Sequence, residues 1–355
     1  MFASISLSTP ERLLFLQSYY AGDARSERDK RAHLAEIDRR TRRMRWRLWK
    51  RREGRCLANN KYFMRLSFEG FSGFARRGEW RGGMAKLFLG GDLRAGGARL
   101  VKESRSKDLW EREIELHGAR RTLFIKHYKP KRGWKAFNYL WRCSQALRSW
   151  QGAYAIEIRN IRAVRAVAAI EERSALNLLR NAYLVTEKIP GVVNLADALA
   201  GLGRGGGSRQ AEVAAFMRLF AHFLRKVHRV GIYHGDMKAT NILVGTNRDG
   251  TPSFFLTDFD FVRTRLDLSR RQVLRNLLQL NKSFLDLGLL GIRDRMRFLK
   301  WYLGPARRAE LPGIWRTLSR RTRRYLKRTG REFRRGDALI VATEDTEITE
   351  LTNTH

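Results

Sequence analysis

His234-Gly235-Asp236-Met237-Lys238-Ala239-Thr240-Asn241 places a carboxylate, an ammonium two positions on and an amide five positions on. Asp258-Phe259-Asp260 follows, closing the apolar run Phe254-Phe255-Leu256. Each residue type answers a demand of phosphoryl transfer. Asp236 can accept the proton of an attacking hydroxyl, and Lys238 can offset charge on the group in transit. Asn241 and Asp258 offer the hard oxygen ligands that magnesium prefers.

The flanking pattern supplies the elements such residues need. Phe216, Leu219, Phe220, Phe223, Leu224 and Val227 recur at helical spacing, so a buried helix leads into Val230-Gly231-Ile232-Tyr233. Ile242-Leu243-Val244 and Phe254-Phe255-Leu256 read as short strands separated by the turn-rich residues 245–252. Helix, loop, hairpin and strand-end carboxylate is the order found in the protein-kinase fold. The alternative, an ordinary helix and hairpin with surface polar residues, leaves that order unexplained.

A kinase also needs an upstream lysine, and Thr122-Leu123-Phe124-Ile125-Lys126 is a β-rich run ending in one, 110 residues before Asp236. A lone strand-end lysine is usually a solvated edge; here the spacing suits a small N-terminal lobe. Residues 98–102 and 109–116 read as paired strands joined around Ser104-Arg105-Ser106-Lys107, a turn without G-x-G-x-x-G. Ser104 and Arg105 are the candidates there for holding nucleotide phosphates, through hydroxyl, backbone N–H and cationic groups. Ala182 to Glu187 is a strand candidate running into Lys188-Ile189-Pro190-Gly191, the expected hinge, where the backbone of Glu187 and Ile189 would meet adenine.

Gly231 to Lys238, the D-F-D fragment and Phe124-Ile125-Lys126 resemble the bacterial lipopolysaccharide kinase family, which phosphorylates heptose or Kdo sugars of the lipid A core. Arg148-Ser149-Trp150, Glu171-Glu172-Arg173, Arg295, Phe298, Leu299 and Tyr302 extend the resemblance over roughly residues 96–305. It implies an α+β, two-lobed protein-kinase-like fold, with a small β-rich N-lobe and a mainly helical C-lobe. It also implies a cytoplasmic kinase dependent on ATP and Mg2+. By match, Lys126 binds phosphate, Asp236 is the catalytic base, and Asn241 and Asp258 hold metal.

Three positions depart from the protein-kinase pattern. Gly235 stands where arginine usually answers a phosphorylated activation loop. Asp260 replaces the glycine of D-F-G; it either assists metal binding beside Asp258 or caps the next turn. The helix expected from Ala136 to about Arg159 carries Ser149 where a glutamate should pair with Lys126. Glu157, the nearest acid, reads as a solvated last-turn residue, so the ion pair has no assigned partner.

The chain has 355 residues, 43% of them hydrophobic, enough for one two-lobed domain with an extension. Its 72 basic and 35 acidic residues give a net charge of +37, a field that attracts an anionic leaflet, a phosphorylated glycolipid or nucleic acid. Cys56 and Cys143 lack metal-ligand spacing and form no disulfide framework, which fits a reducing cytosol. No apolar run is long enough to span a bilayer, and the first residues lack a secretory pattern.

The charge is concentrated. Residues 39–52 read RRTRRMRWRLWKRR, with Leu34, Ile37, Met44 and Leu48 near one helical face. This reads as a helix docked by its apolar stripe with the charged side toward membrane, with a purely interfacial helix as the alternative. Glu11 to Tyr19 echoes Asp294 to Tyr302, and RRTRR recurs at 39–43 and 320–324, so residues 1 to about 60 are expected to duplicate the C-terminal tail. The expected organisation is a basic helical extension (1–66), a glycine-rich linker (67–97), an N-lobe (98–190), a C-lobe (191–340) and a disordered acidic tail (341–355). The run GLGRGGGS at 201–208 follows a helical pattern rather than a strand and reads as a flexible connector.

Three function classes follow. The first is a kinase of a lipid-linked sugar hydroxyl, peripheral to the inner face of the cytoplasmic membrane. The second is a kinase of a protein or soluble small molecule, disfavoured by the lack of an A-P-E segment after Asp258. The third is a non-catalytic basic module binding membrane or nucleic acid, disfavoured by the intact set of Lys126, Asp236, Asn241 and Asp258.

Overall fold

The computed structural model describes residues 14–15, 18–19, 27–80, 82–85, 88, 93, 97–116, 118–129, 143–202, 208–288 and 290–329. The acidic tail, the middle of the glycine run at 201–208 and the beginning of the helix expected from Ala136 lie outside them. The chain divides into two compact units, Met1–Arg55 and Cys56–His355.

The first unit is built on helix α1 (Glu27–Glu53). Glu36 pairs with Arg39 and Arg40 one turn on, and Lys50 with Glu53, with its ammonium 4.9 Å from the Trp46 ring centroid. Leu34, Ile37 and Leu48 are half-buried and Thr41 is buried, whereas Met44, expected on the apolar stripe, is exposed. Within the second unit, RRTRR 320–324 is helical too, and there again the threonine, Thr322, is the buried member. The comparison of the two segments stops at that point, because residues 16–17 and 20–26 are not described.

The second unit opens with seven strands: β1 (Phe63–Phe68), β2 (Phe71–Arg76), β3 (Arg99–Lys102), β4 (Lys107–Leu116), β5 (Ala119–Tyr128), β6 (Ala166–Arg173) and β7 (Leu179–Glu187). They form one antiparallel sheet in the order β1-β2-β6-β7-β5-β4-β3. Residues 63–76 therefore differ from the expected extension and linker: they are a hairpin added to the sheet by β2 on β6. Gly73 permits the pairing, since a Cβ there would lie 2.1 Å from the Ala169 carbonyl oxygen. The stretch beyond is not bare linker either. Trp80, Met84, Phe88 and Leu93 bury themselves against Phe71, Leu123, Ile125 and Tyr183, making a second core on one face of the sheet.

Alternation at period two then decides what β5 presents. Leu123 and Ile125 enter that second core, so Lys126 and Tyr128 point to the opposite face, toward helix α2 (Gln145–Glu157). Ser144 caps α2 by accepting from the Leu147 N–H. Trp150 anchors it, donating its Nε1–H to the Cys56 carbonyl at 2.8 Å and meeting Phe63 edge-on.

The mainly helical remainder comprises α3 (Leu195–Gly201), α4 (Arg209–Arg229), α5 (Arg270–Leu287), α6 (Ile292–Leu303) and α7 (Leu311–Thr329). As the spacing predicts, α4 buries Phe216, Phe220, Leu224 and Val227, although Leu219 is exposed. Phe220 stacks on Phe298 of α6 with centroids 5.5 Å apart. Two small sheets sit over α4: β8 (Val193–Asn194) with β10 (Ile242–Thr246) and β11 (Pro252–Leu256), and β9 (Ile232–Tyr233) with β12 (Arg263–Thr264).

Candidate active site

The loop from His234 to Asn241 is held from three sides. His234 is fully buried and its ring Nε2 lies 2.8 Å from the Thr257 carbonyl; burial lowers its pKa, so the neutral ring donates there. Gln279 of α5 donates to the Gly235 carbonyl at 2.7 Å and accepts from the Met237 N–H at 3.1 Å. Asn241 donates its side-chain N–H to the Asp236 carbonyl at 2.8 Å and to Asp236 Oδ2 at 3.1 Å. Lys238 Nζ lies 2.9 Å from Asp236 Oδ1. Asp236, Lys238 and Asn241 therefore form one cluster, and the Thr257 N–H, next to Asp258, donates to the Asn241 carbonyl.

Gly235 has φ +80°, and a Cβ on it would stand 2.6 Å from Phe261 Cβ and 2.7 Å from the Phe261 oxygen. The position of the usual arginine is thus filled by the backbone of the D-F-D turn. Gly235→Ala should destabilise the protein by about 2–4 kcal/mol, the sum of left-handed backbone strain and overpacking. Thermal unfolding checks this; an unchanged midpoint would show that the loop yields freely.

Asp258, two residues past the end of β11, lies in the left-handed region, at φ 58° and ψ 76°, and a short helical turn, Phe259–Phe261, follows it. Lys126 Nζ lies 2.7 Å from Asp258 Oδ1 and 2.9 Å from Asp260 Oδ2. The acid partner that the helix was expected to supply is Asp260. Its Oδ1 accepts from Tyr128 OH at 2.6 Å and from Ser149 Oγ at 2.8 Å, and its carbonyl accepts from Gln145 Nε2 at 2.6 Å. Gln145, Ser149 and Gly152 lie on one face of α2. A Cβ on Gly152 would be 3.2 Å from Val262, so the helix rests directly on this turn.

Of the two roles expected for Asp260, capping gives way to this one. It does not cap the turn: both oxygens are engaged by other groups, and the side chain is 5% exposed. Burial alone would raise its pKa, but Lys126, Tyr128 and Lys107 hold it down at about 2. Glu157, the last residue of α2, is exposed as expected, and it also pairs with Arg76 of β2, tying the helix end to the added hairpin.

Ser104, expected to meet phosphate, spends its hydroxyl inside the β3–β4 turn. It donates to the Lys107 carbonyl and accepts from the Lys107 N–H at 3.2 Å, while its own N–H donates to Asp108 at 3.3 Å. Arg105 is exposed on the same turn. At the hinge, the Glu187 carboxylate pairs with Arg121, and the Glu187 and Lys188 N–H groups donate to Arg165 and Thr122. Ile189 packs on the core.

Sequence reasoning missed one member. Lys107, the first residue of β4, reaches Asp260 Oδ2 at 3.0 Å and Asp258 Oδ2 at 3.9 Å. Only its place in the unusual turn marked it in the sequence.

A β-rich lobe carrying a phosphate-type lysine over a helical lobe carrying an Asp-x-Lys-x-x-Asn loop defines a protein-kinase-like phosphotransferase. The model of the lipopolysaccharide kinase (Kdo/WaaP) family matches residues 98–302, and the chain belongs to that family. It is accordingly an ATP-dependent kinase acting on a sugar hydroxyl. Among solved structures it is similar to one described as WaaP in complex with acyl carrier protein. That match has 20% identity and a TM-score of 0.50, and covers 68% of this chain and 95% of the other. No curated protein matches the sequence.

Proposed function

We propose that the chain phosphorylates a hydroxyl of a lipopolysaccharide-core or other lipid-linked sugar at the inner face of the cytoplasmic membrane. The observation that carries the chemistry is the Asp236 carboxylate, oriented by Asn241 and Lys238 and standing one strand end from Asp258. The acceptor oxygen attacks the γ-phosphorus of ATP, the bond to the β–γ bridging oxygen breaks, ADP leaves, and the hydroxyl proton passes to Asp236. Lys238 offsets the charge of the phosphoryl group in transit, and Lys126 grips the phosphates.

The donor set fits magnesium at Asn241 and Asp258. Asn241 commits its side-chain N–H to Asp236, which leaves its side-chain amide oxygen Oδ1 for a hard cation, and Asp258 is part-exposed. When bound, the ion would neutralise charge on the β- and γ-phosphates. Asp260, the third expected ligand, is engaged by Lys126, Lys107, Tyr128 and Ser149 in this structure.

Membrane apposition is supported by charge. Arg316, Arg320, Arg323, Arg324 and Lys327 of α7 line an open groove of about 600 Å3, and α1 carries a second arginine-rich surface. Among the described residues no helix is long and apolar enough to cross a membrane. ATP consumption and phosphate transfer with membrane glycolipid fractions test the acceptor. Labelled glycolipid is the expected product. Labelling of polypeptide alone would replace this acceptor with a protein, and salt-sensitive RNA binding without ATP turnover would replace the kinase reading altogether.

A further inference from the structure

We propose that Lys107 is a second phosphate-binding cation, doing with an ammonium group what a glycine-rich loop does with backbone N–H groups. The inference rests on the ATP-kinase reading and deepens it.

In the kinase reading the turn between β3 and β4 covers the nucleotide phosphates, and part of its hydrogen-bonding capacity is spent internally. The N–H groups of Ser104 and Lys107 are both consumed within it, and so is the Ser104 hydroxyl. From the far side, Lys129 Nζ clamps it, 3.0 Å from the Ser104 carbonyl and 2.9 Å from Asp108, while the Lys129 N–H donates to the Ser106 carbonyl. With two of the four N–H groups of residues 104–107 and the Ser104 hydroxyl committed, and no glycine with which to fold around an anion, the turn offers less backbone than a glycine-rich loop.

Its contribution to the cleft is a side chain. Lys107 Nζ stands beside Lys126 Nζ, the two sharing Asp260 Oδ2 at 3.0 and 2.9 Å. The pair of lysines and the pair of carboxylates, Asp258 and Asp260, balance. Once Asp258 serves a metal ion, two ammonium groups face one remaining carboxylate, and the excess positive charge lies where the phosphates arrive.

The members differ in freedom. Asp260 is 5% exposed and fixed by Tyr128 and Ser149, and Lys126 is 16% exposed, whereas Lys107 is 35% exposed. Asp260 is the fixed post, and Lys107 is the arm that can swing from it to an oxygen of the nucleotide on its flexible stem.

The test is nucleotide binding by the full chain, by calorimetry with Mg·ATP and separately with adenosine. Lys107→Met should weaken Mg·ATP about 10- to 100-fold, the worth of a hydrogen bond to a charged group, and leave adenosine unchanged. Lys107→Arg should recover most of the loss. A purely structural lysine would instead lower the unfolding midpoint and weaken both ligands alike. Equal Mg·ATP affinity in wild type and Lys107→Met would overturn the proposal. Failure of the wild type to bind Mg·ATP would overturn both it and the kinase reading, whereas wild-type binding without sugar phosphorylation would remove only the acceptor assignment.

Discussion

Asp236→Asn should lower turnover by about 10²- to 10⁴-fold, the usual contribution of a positioned general base, while ATP affinity stays within about threefold. Asparagine keeps the shape of aspartate, and the contacts from Asn241 to the 236 carbonyl survive because they are made to the main chain. What is lost is the acceptor for the hydroxyl proton and the anionic partner of Lys238. The measurement is initial rate against ATP and glycolipid concentration, with nucleotide binding as the control for folding. Equal turnover in the two proteins would remove Asp236 from the mechanism, because no other carboxylate lies in that loop.

The second large effect is at Asp260. Asp260→Ala leaves Lys126 and Lys107 with one carboxylate between them and takes the acceptor from Tyr128 and Ser149. Breaking a buried ion pair in this way costs about 3–5 kcal/mol. The loss should appear both as a lower unfolding midpoint and as a raised KM for ATP, since Lys126 is no longer held over the cleft. Glu157→Gln separates this from the ordinary kinase arrangement. Glu157 serves Arg76, so its variant should leave the KM for ATP unchanged. Nucleotide binding that depended on Glu157 and ignored Asp260 would refute the substitution of one acid for the other.

The same carboxylate gives a pH signature. Its folded pKa, about 2, lies below the ordinary 3.8. The depressed value means that its stabilisation is complete above about pH 4 and is lost as the pH falls toward 2. Asp260→Ala should flatten that part of the acid-unfolding curve.

Local order along the chain made half of the site legible. Asp236, Lys238 and Asn241 lie within six residues, and a loop so short must bring them together once its helix and hairpin exist. The helix followed from its 3.6 period and the hairpin strands from short apolar runs, while the alternation of β5 sends Lys126 away from Leu123 and Ile125. The added hairpin was harder to see. Glycines between 70 and 97 signal a linker by composition, but Gly73 is there because a strand passes within contact of the Ala169 carbonyl, and Trp80 and Phe88 are there to cover a sheet face. Composition does not distinguish a glycine that loosens a chain from one that lets two strands meet.

By itself, then, the sequence determined which groups the proposed chemistry can draw on: a carboxylate for the base, a lysine to neutralise charge, oxygen ligands for a hard cation, and a strand lysine for phosphates. The tertiary structure decided the partners. Lys107 and Asp260 are 153 residues apart and Lys126 and Asp260 are 134 apart, so no periodicity relates them. Ser149 became intelligible only when α2 was found resting on the D-F-D turn, where a hydroxyl on the helix holds an aspartate from the turn. Ion pairing depends on distance in space and on burial, which lowers the dielectric around the pair. Neither quantity exists until the lobes have packed.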